Sequence, residues 1–452
     1  MQQDAPIHET EAGGASAGGS PDAAYARRCR QALEVALERT PMYAAWRGRD
    51  PGPAQGIEAR YRALPVLTKA DIRTNAPYGV VPRGMDLDDA LRRGEVSFVR
   101  TSGTEDEALQ NIWNQSWWDA SEHASWTLNA VAAANATGCH REAILASALS
   151  VGPRSGGGPI DRESRMLGRF LFLNEYGLTS EWPDGHERRI LGELRDYQPP
   201  VLEASPSLLA RVARWAWRTG ADAWQPALIT LTYEFPSALQ LRDIRRVFHS
   251  ALASSYGSTE AGYVFMECER GRLHQNVQTC RVDLLPVDSR PGGSSPADPG
   301  LGRIVATTFG NEWFPLLRFD IGDVGRRAAE PCPCGRTAGL TLRSIEGRCK
   351  SLCVAGDGTV VTHGAVDRAL AAVPGLEQYR IDQESPRQVR CRVIPEPAAG
   401  ARVPPEARGA LAEVFGSGVE VDVVTVPVLH PEKSGKFLLA LRWFPLEQAR
   451  HA

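Results

Sequence analysis

The sequence predicts an α/β protein: a large N-terminal domain with doubly wound sheets and a β subdomain, followed by a small, mobile α+β domain. Three features predict it. Between residues 142 and 265 short apolar runs alternate with segments of helical periodicity, the pattern of a sheet that binds ligands beyond its strand ends. After residue 268 strands and Gly/Pro turns take over, as in "VDLLPVDSRPGGSSPADPGLGRIVATT", which reads as a smaller β subdomain to about residue 345. Residues 348–452 then run strand, helix, two strands, helix and strand, joined at "SIEGRCKS". With 452 residues, two or three domains and a sizeable core are available.

In chain order, residues 1–22 include the Gly/Ala/Ser-rich "ETEAGGASAGGSPD" and read as a disordered leader. The large domain then spans 23–347. Residues 23–47 have helical spacing, and Thr68 is placed to cap a helix over Ala70–Arg73 in "LPVLTKADIR". "EVSFVRTSGTEDEALQNIWN" reads as strand, tight turn, strand, and "SWWDASEHASWTLNAVAAANATG" as one amphipathic helix. "AILASALSVG" is a buried strand, Ser205 and Pro206 open the helix "SLLARVARWAW", and "ALITLTYEF" is a strand. "PSALQLRDIRRVFH" is a helix, and "SALASSYGSTEAG" is a strand that ends in a turn. In the small domain Val366, Ala369, Leu370 and Val373 share one helix face.

A net charge of −3, with both signs spread along the chain, argues against a nucleic-acid surface. No run is apolar enough to span a bilayer, and the start lacks a secretory pattern. Nine cysteines in so long a chain are no disulfide scaffold, and their odd number points to a reducing, cytoplasmic setting.

Four short stretches make chemical sense around one nucleotide. "TSGT" (Thr101, Ser102, Gly103, Thr104) follows a strand and offers N–H and O–H donors to phosphate oxygens. "YGSTE" adds Tyr256, Gly257, Ser258 and Thr259, then the carboxylate of Glu260, suited to Mg²⁺. "RFDIGD" sets Asp323 after a glycine, suited to two ribose hydroxyls, and "PEKSGK" carries Lys436 on a flexible turn.

Together "LPVLTKADIR", "TSGT", "SYGSTEAG", "LLRFDIGDVG", "EGRCKS" and "SGK" resemble, in order, the adenylate-forming (acyl-CoA synthetase-like) superfamily. The chain looks most like its phenylacetate–CoA ligase branch, and the likeness covers roughly residues 58–440. The resemblance implies ATP-dependent activation of a small carboxylic acid, an aromatic one as is common in the branch, to acyl-AMP. Acyl transfer to coenzyme A follows, or transfer to an amine, a hydroxyl or a carrier-protein thiol. It further implies that Thr101–Thr104 contact phosphates, that Tyr256 lies against adenine with Glu234 of "TYEFPS" nearby, and that Glu260 helps hold Mg²⁺. Asp323 and Arg348 take the ribose, Lys350 sits at the hinge, and Lys436 is the catalytic lysine of adenylation. One departure stands out. Where the branch continues its phosphate loop with Gly and Lys, this chain has Glu105, Asp106 and Glu107, which repel a triphosphate. A non-catalytic nucleotide-binding scaffold is the rival that this loop keeps open.

Two cysteine stretches remain. "MECERGRLH" supplies Cys268 and His274, and "EPCPCGRT" supplies Cys332 and Cys334. Three thiols and an imidazole match a closed structural zinc site, and several proteins of the branch carry a similar cluster. Trp113, Trp117, Trp118 and Trp126 crowd one strand and helix with His123. Such a stripe is more often core than ligand wall, although flat rings suit an aryl acid.

Overall fold

The computed structural model describes residues 21–100, 109–287, 300–432 and 434–446. Thr101, Ser102, Gly103, Thr104 and the acidic Glu105–Glu107 lie outside the described residues, as does the leader up to residue 20. Residues 21 and 22, expected in that leader, instead open the helix Pro21–Glu34.

The first expected helix is broken. A π-turn over Val35–Arg39 follows Pro21–Glu34, and Thr40 is extended before a 3₁₀ segment, Pro41–Arg49. Pro41 is the cause, because proline pushes its predecessor out of the helical region. Thr68 caps Lys69–Asn75 in a reciprocal box with Asp71, its hydroxyl accepting from the Asp71 amide at 3.2 Å. The helix expected over 116–138 is two, Gln115–Trp126 and Ala130–Asn135. Asn129 separates them by accepting the amides of Val131 and Ala132 on its side chain. Ser205 occupies the cap position of Pro206–Thr219, but its hydroxyl makes no capping bond.

Twelve strands form one sheet. Five run parallel, in the order Phe170–Phe172, Glu142–Leu145, Val201–Ala204, Leu228–Leu231 and Ala251–Ser258. The last of these is shared. Its first half pairs parallel, Leu231 against Ser254, and its second half pairs antiparallel with Gly262–Glu267, Tyr256 against Phe265. From there Leu273–Gln275, Thr341–Arg348, Phe319–Arg327, Leu301–Thr308 and Cys280–Leu285 continue antiparallel. The residues after 268 thus extend the same sheet.

Helices His186–Tyr197, Pro206–Thr219 and Ala238–Arg245 bury Ile190, Leu194, Leu209, Val212 and Ile244 against the parallel half. The N-terminal helices cover the antiparallel half through Leu33, Tyr43, Tyr61 and Ile72. In the small domain four strands, ordered Glu420–Thr425, Gln388–Pro395, Leu376–Ser385 and Ala440–Arg442, carry the helices His363–Ala371 and Val403–Phe415. Leu239 of the large domain belongs to that small core. The Ala238 amide donates to Asp367 at 2.8 Å, and Thr362 donates to Glu346 at 2.5 Å. Among the described residues no helix is long and apolar enough to cross a membrane.

Tyr43 ties the N-terminal helices to the strand that carries Asp323. Fully buried, its hydroxyl donates to Pro315 O at 3.1 Å and accepts from the Leu317 amide at 2.8 Å. Tyr43→Phe orphans both groups, so it should lower stability by about 1–3 kcal/mol. Urea unfolding should register a lower midpoint with an unchanged slope.

Candidate functional site

A cavity of about 2330 Å³ opens between the two domains, at the ends of the parallel strands. Its first wall is the turn after the shared strand. Gly257 is required there, because a Cβ would strike the Gly262 carbonyl across the hairpin. Tyr256 donates its hydroxyl to Asp323 Oδ2 at 2.9 Å, and Arg348 Nε lies 3.8 Å from Asp323 Oδ1. Burial holds the Asp323 carboxyl above its ordinary range, against the pull of Arg348. Asp323 and Arg348 are cross-strand partners, so one sheet register places both.

Glu260 lies at the cavity wall, 3 % exposed. Its Oε1 accepts no hydrogen bond, and Lys69 Nζ stands 3.4 Å from it as an ion pair. A buried carboxylate oxygen in that state suits a cation such as Mg²⁺. Lys69 lies in the motif "LPVLTKADIR", where spacing assigns it no partner; the fold brings its capped helix to Glu260. Ser258 Oγ accepts from the Ala261 amide, and the Thr259 carbonyl accepts from Asn111, so the turn is braced from within and behind.

The small domain closes the cavity with residues 434–437. The Phe437 amide donates to Glu234 Oε1 at 3.0 Å, while the Ser207 amide reaches the other oxygen at 3.4 Å. Gly435, at φ +78°, presses on the large domain so closely that a Cβ would strike Ser147 Oγ and the Gly177 carbonyl. Lys436 is thereby inserted among charges. Burial and then Arg348 push its pKa down, while Glu234, Asp323 and Glu260 pull it back up. Lys350 lies in the turn Cys349–Ser351 that leads from the large domain's last strand, and it also lines the cavity.

The structure therefore gathers Tyr256, Gly257, Ser258, Thr259, Glu260, Asp323, Arg348, Lys350, Glu234 and Lys436 around one cavity. Of the four tryptophans, Trp113 and Trp118 line it with His123, whereas Trp117 and Trp126 are buried, Trp117 donating to the Phe309 carbonyl. Sequence reasoning missed a second group on the same cavity: Glu122, Glu142 and Glu203. Tyr263 donates to Glu122 at 2.9 Å, Tyr233 donates to Glu203, and Arg169 and His140 hold Glu142 at 3.2 and 3.0 Å. Burial, then the charges of Glu142 and Glu122, keep Glu203 well above the carboxylate range.

Away from the cavity, Cys268, His274, Cys332 and Cys334 converge, with their ligand atoms all within 4.8 Å of one another. Sulfurs on a tetrahedral zinc at about 2.3 Å lie about 3.8 Å apart, and Cys268 Sγ lies 3.7 Å from Cys332 Sγ. The Arg270 and Arg336 amides point at Cys268 and Cys334 sulfurs at 3.4 and 3.5 Å, and Thr341 contacts His274 Nδ1. Amide donors to sulfur and a partner for the second imidazole nitrogen both suit metal-bound ligands. The donor set fits zinc.

Glu122 offers a test by pH. Burial and then the charge of Glu142 push its carboxyl up to about 7, against an ordinary 4.5. Its protonated form therefore contributes stability that is complete below pH 4.5 and lost as pH rises through 7. Glu122→Gln should gain on the parent by about 1–3 kcal/mol between about pH 5 and pH 8. Urea midpoints that stay parallel across that window would contradict the assignment.

No family model matches the chain. It is 26% identical over 359 residues to the phenylacetate–coenzyme A ligase of Thermus thermophilus, covering 77% of this chain and 74% of that one. Its fold is similar to that of 2-hydroxyisobutyryl-CoA ligase in the postadenylation state with its acyl-AMP (TM-score 0.68, 18% identity, 95% and 90% of the chains). Against the same ligase in the thioesterification state, at 18% identity and 95% and 91% coverage, the TM-score is 0.53. By sequence the chain is a homologue of phenylacetate–coenzyme A ligase, and its fold is that of the adenylate-forming ligases.

Proposed function

We propose that this protein activates a carboxylic acid with ATP and passes the acyl group to the thiol of coenzyme A. The acid's carboxylate attacks the α-phosphorus, pyrophosphate leaves with its bonding electrons, and acyl-AMP results. The thiol then attacks the acyl carbon, loses its proton, and AMP departs. The observation that carries this reading is Lys436, inserted by the small domain among Asp323, Glu260 and Arg348. An ammonium there is suited to charge that develops on the α-phosphate oxygens, and a fixed cation in a water-poor cleft stabilises such charge strongly.

The other residues take roles from their chemistry. Asp323 accepts from the ribose hydroxyls with Arg348 beside it, and Tyr256, anchored through its hydroxyl, offers its ring to adenine. Gly257, Ser258 and Thr259 bring backbone close to phosphate, a task that the sequence resemblance also gives to Thr101–Thr104. Glu260 would hold Mg²⁺, which supplies charge compensation to the phosphates when bound. Lys69 adds a second cation near it. Glu234 holds the closed lid through the Phe437 amide. For the thiol step the small domain must leave, and Lys350 is the pivot, in the short turn where the chain crosses between domains.

Lys436→Ala should cut acyl-AMP formation about a hundredfold or more and leave thioester formation from supplied acyl-AMP nearly intact. Gly435→Ala should reproduce this split without touching a charged group, because its Cβ blocks the closed position against Ser147 and Gly177. ATP–pyrophosphate exchange and a separate thioesterification assay read the two steps. Equal losses in both would refute the assignment.

We also propose that Cys268, His274, Cys332 and Cys334 hold a structural zinc ion. The protein should carry about one equivalent by elemental analysis. Cys334→Ala should lose the metal and unfold at lower temperature, since a structural site contributes folding energy. A metal-free protein with four titratable ligands at full stability would overturn it.

A further inference from the structure

Nothing in adenylation uses three glutamates, two buried (Glu142, Glu203) and one half-buried (Glu122), yet they line the same cavity from three elements: Glu122 on Gln115–Trp126, Glu142 on Glu142–Leu145 and Glu203 on Val201–Ala204. Glu142 is balanced by Arg169 at 3.2 Å. The other two are not. Each accepts one tyrosine hydroxyl through Oε1, and neither Oε2 has a hydrogen-bond partner among the described residues. Glu203 is only 7 % exposed. Tyr233, which serves it, has a left-handed backbone at φ +71°, a strained state that persists where the surroundings enforce it. The charged and titratable groups around the pair are Asp119, His123, His140, Arg169 and the two tyrosines. Arg169 is the cation among them, and it is already engaged.

The adjoining wall is aromatic. Trp113 and Trp118 rings lie 4.4 Å apart, and Trp118 lies 5.0 Å from Tyr263. Tyr263 stands opposite Gly257 in the hairpin, so this group begins one strand beyond the phosphate turn. A purely hydrocarbon acid would leave two carboxyl groups desolvated and unpaired. A primary ammonium brings three N–H donors and a charge that ring faces attract, and that charge beside Glu122 and Glu203 favours their ionised forms.

We propose that the acid activated by this protein carries a primary ammonium group at the end remote from its carboxylate, held between Glu122 and Glu203 beside Trp118. This rests on the ligase reading above and names its substrate class. The aromatic ring that the sequence suggested is then a fit for the walls, and the amine is the determinant of specificity.

The test uses the full chain with matched acids: 4-(aminomethyl)benzoate, 4-methylbenzoate and 4-(hydroxymethyl)benzoate, with 5-aminopentanoate and hexanoate as a flexible pair. Exchange of pyrophosphate into ATP should favour the amino member of at least one pair by about a hundredfold or more in kcat/KM. Glu203→Gln and Glu122→Gln should each lower that amino-to-deamino ratio about tenfold or more. Calorimetric binding of the same acids provides a readout that needs no turnover. Exchange with the deamino acids at equal or higher rates would overturn this inference and keep the ligase reading. Preference for the hydroxymethyl acid would overturn it too, in favour of a neutral donor. Amino-acid binding that Glu203→Gln abolishes, with no exchange for any acid, would overturn the ligase reading and keep the ammonium site. Absence of binding by both amino acids would overturn the ammonium site.

Discussion

The site depends on one strand that changes partners. Ala251–Ser258 begins as the last parallel strand of an α/β sheet and ends as the first strand of an antiparallel one. A parallel pair and an antiparallel pair cannot share the same backbone groups, so the change of direction needs a turn immediately beyond it. That turn is the Gly257–Glu260 segment, and its closeness to Gly262 excludes any side chain at position 257. The switch opens a crevice at the strand ends, as it does in other open sheets. Tyr256, on the shared strand, and Asp323, on a strand of the antiparallel half, meet there.

Charge burial is the second constraint, and it explains why the small domain sits where it does. Asp323 and Glu260 are carboxylates held away from bulk water, each beside one cation of the large domain, Arg348 and Lys69. The closed lid brings Lys436 to them. Its hold is largely polar: the Phe437 amide on Glu234, Gly435 against Ser147, Thr362 on Glu346, Arg214 and Arg218 on Glu377, and Arg242 and Arg246 on Glu396, with Leu239 in the small core. A seam made mainly of polar contacts suits the opening proposed above, since a large apolar interface would fix one arrangement.

Much of the site was legible in the sequence because its motifs are local. A hydroxyl-and-glycine turn, an aspartate after a glycine and a lysine on a Ser-Gly turn each carry their chemistry in a few adjacent residues. The cysteines were legible for the same reason: Cys332 and Cys334 are one residue apart, and Cys268 and His274 flank one tight turn. Helix limits were legible less evenly. Thr68 caps as its spacing requires, whereas the breaks at Thr40 and Asn129 were overridden by a helical periodicity that runs on through them.

What the sequence alone determined, then, was the α/β class, the order of the nucleotide motifs and the ligand chemistry of the thiol cluster, because each is set by neighbours along the chain. The tertiary structure decided three other matters: the place of Lys69 beside Glu260, the closed position of Lys436, and the convergence of Glu122, Glu142 and Glu203. The reason is sheet order. Strands Glu142–Leu145 and Val201–Ala204 are neighbours, with Ile144 opposite Glu203, although some sixty positions separate them in the chain. A glutamate in a strand looks like any other until the fold decides which charges it must face without water.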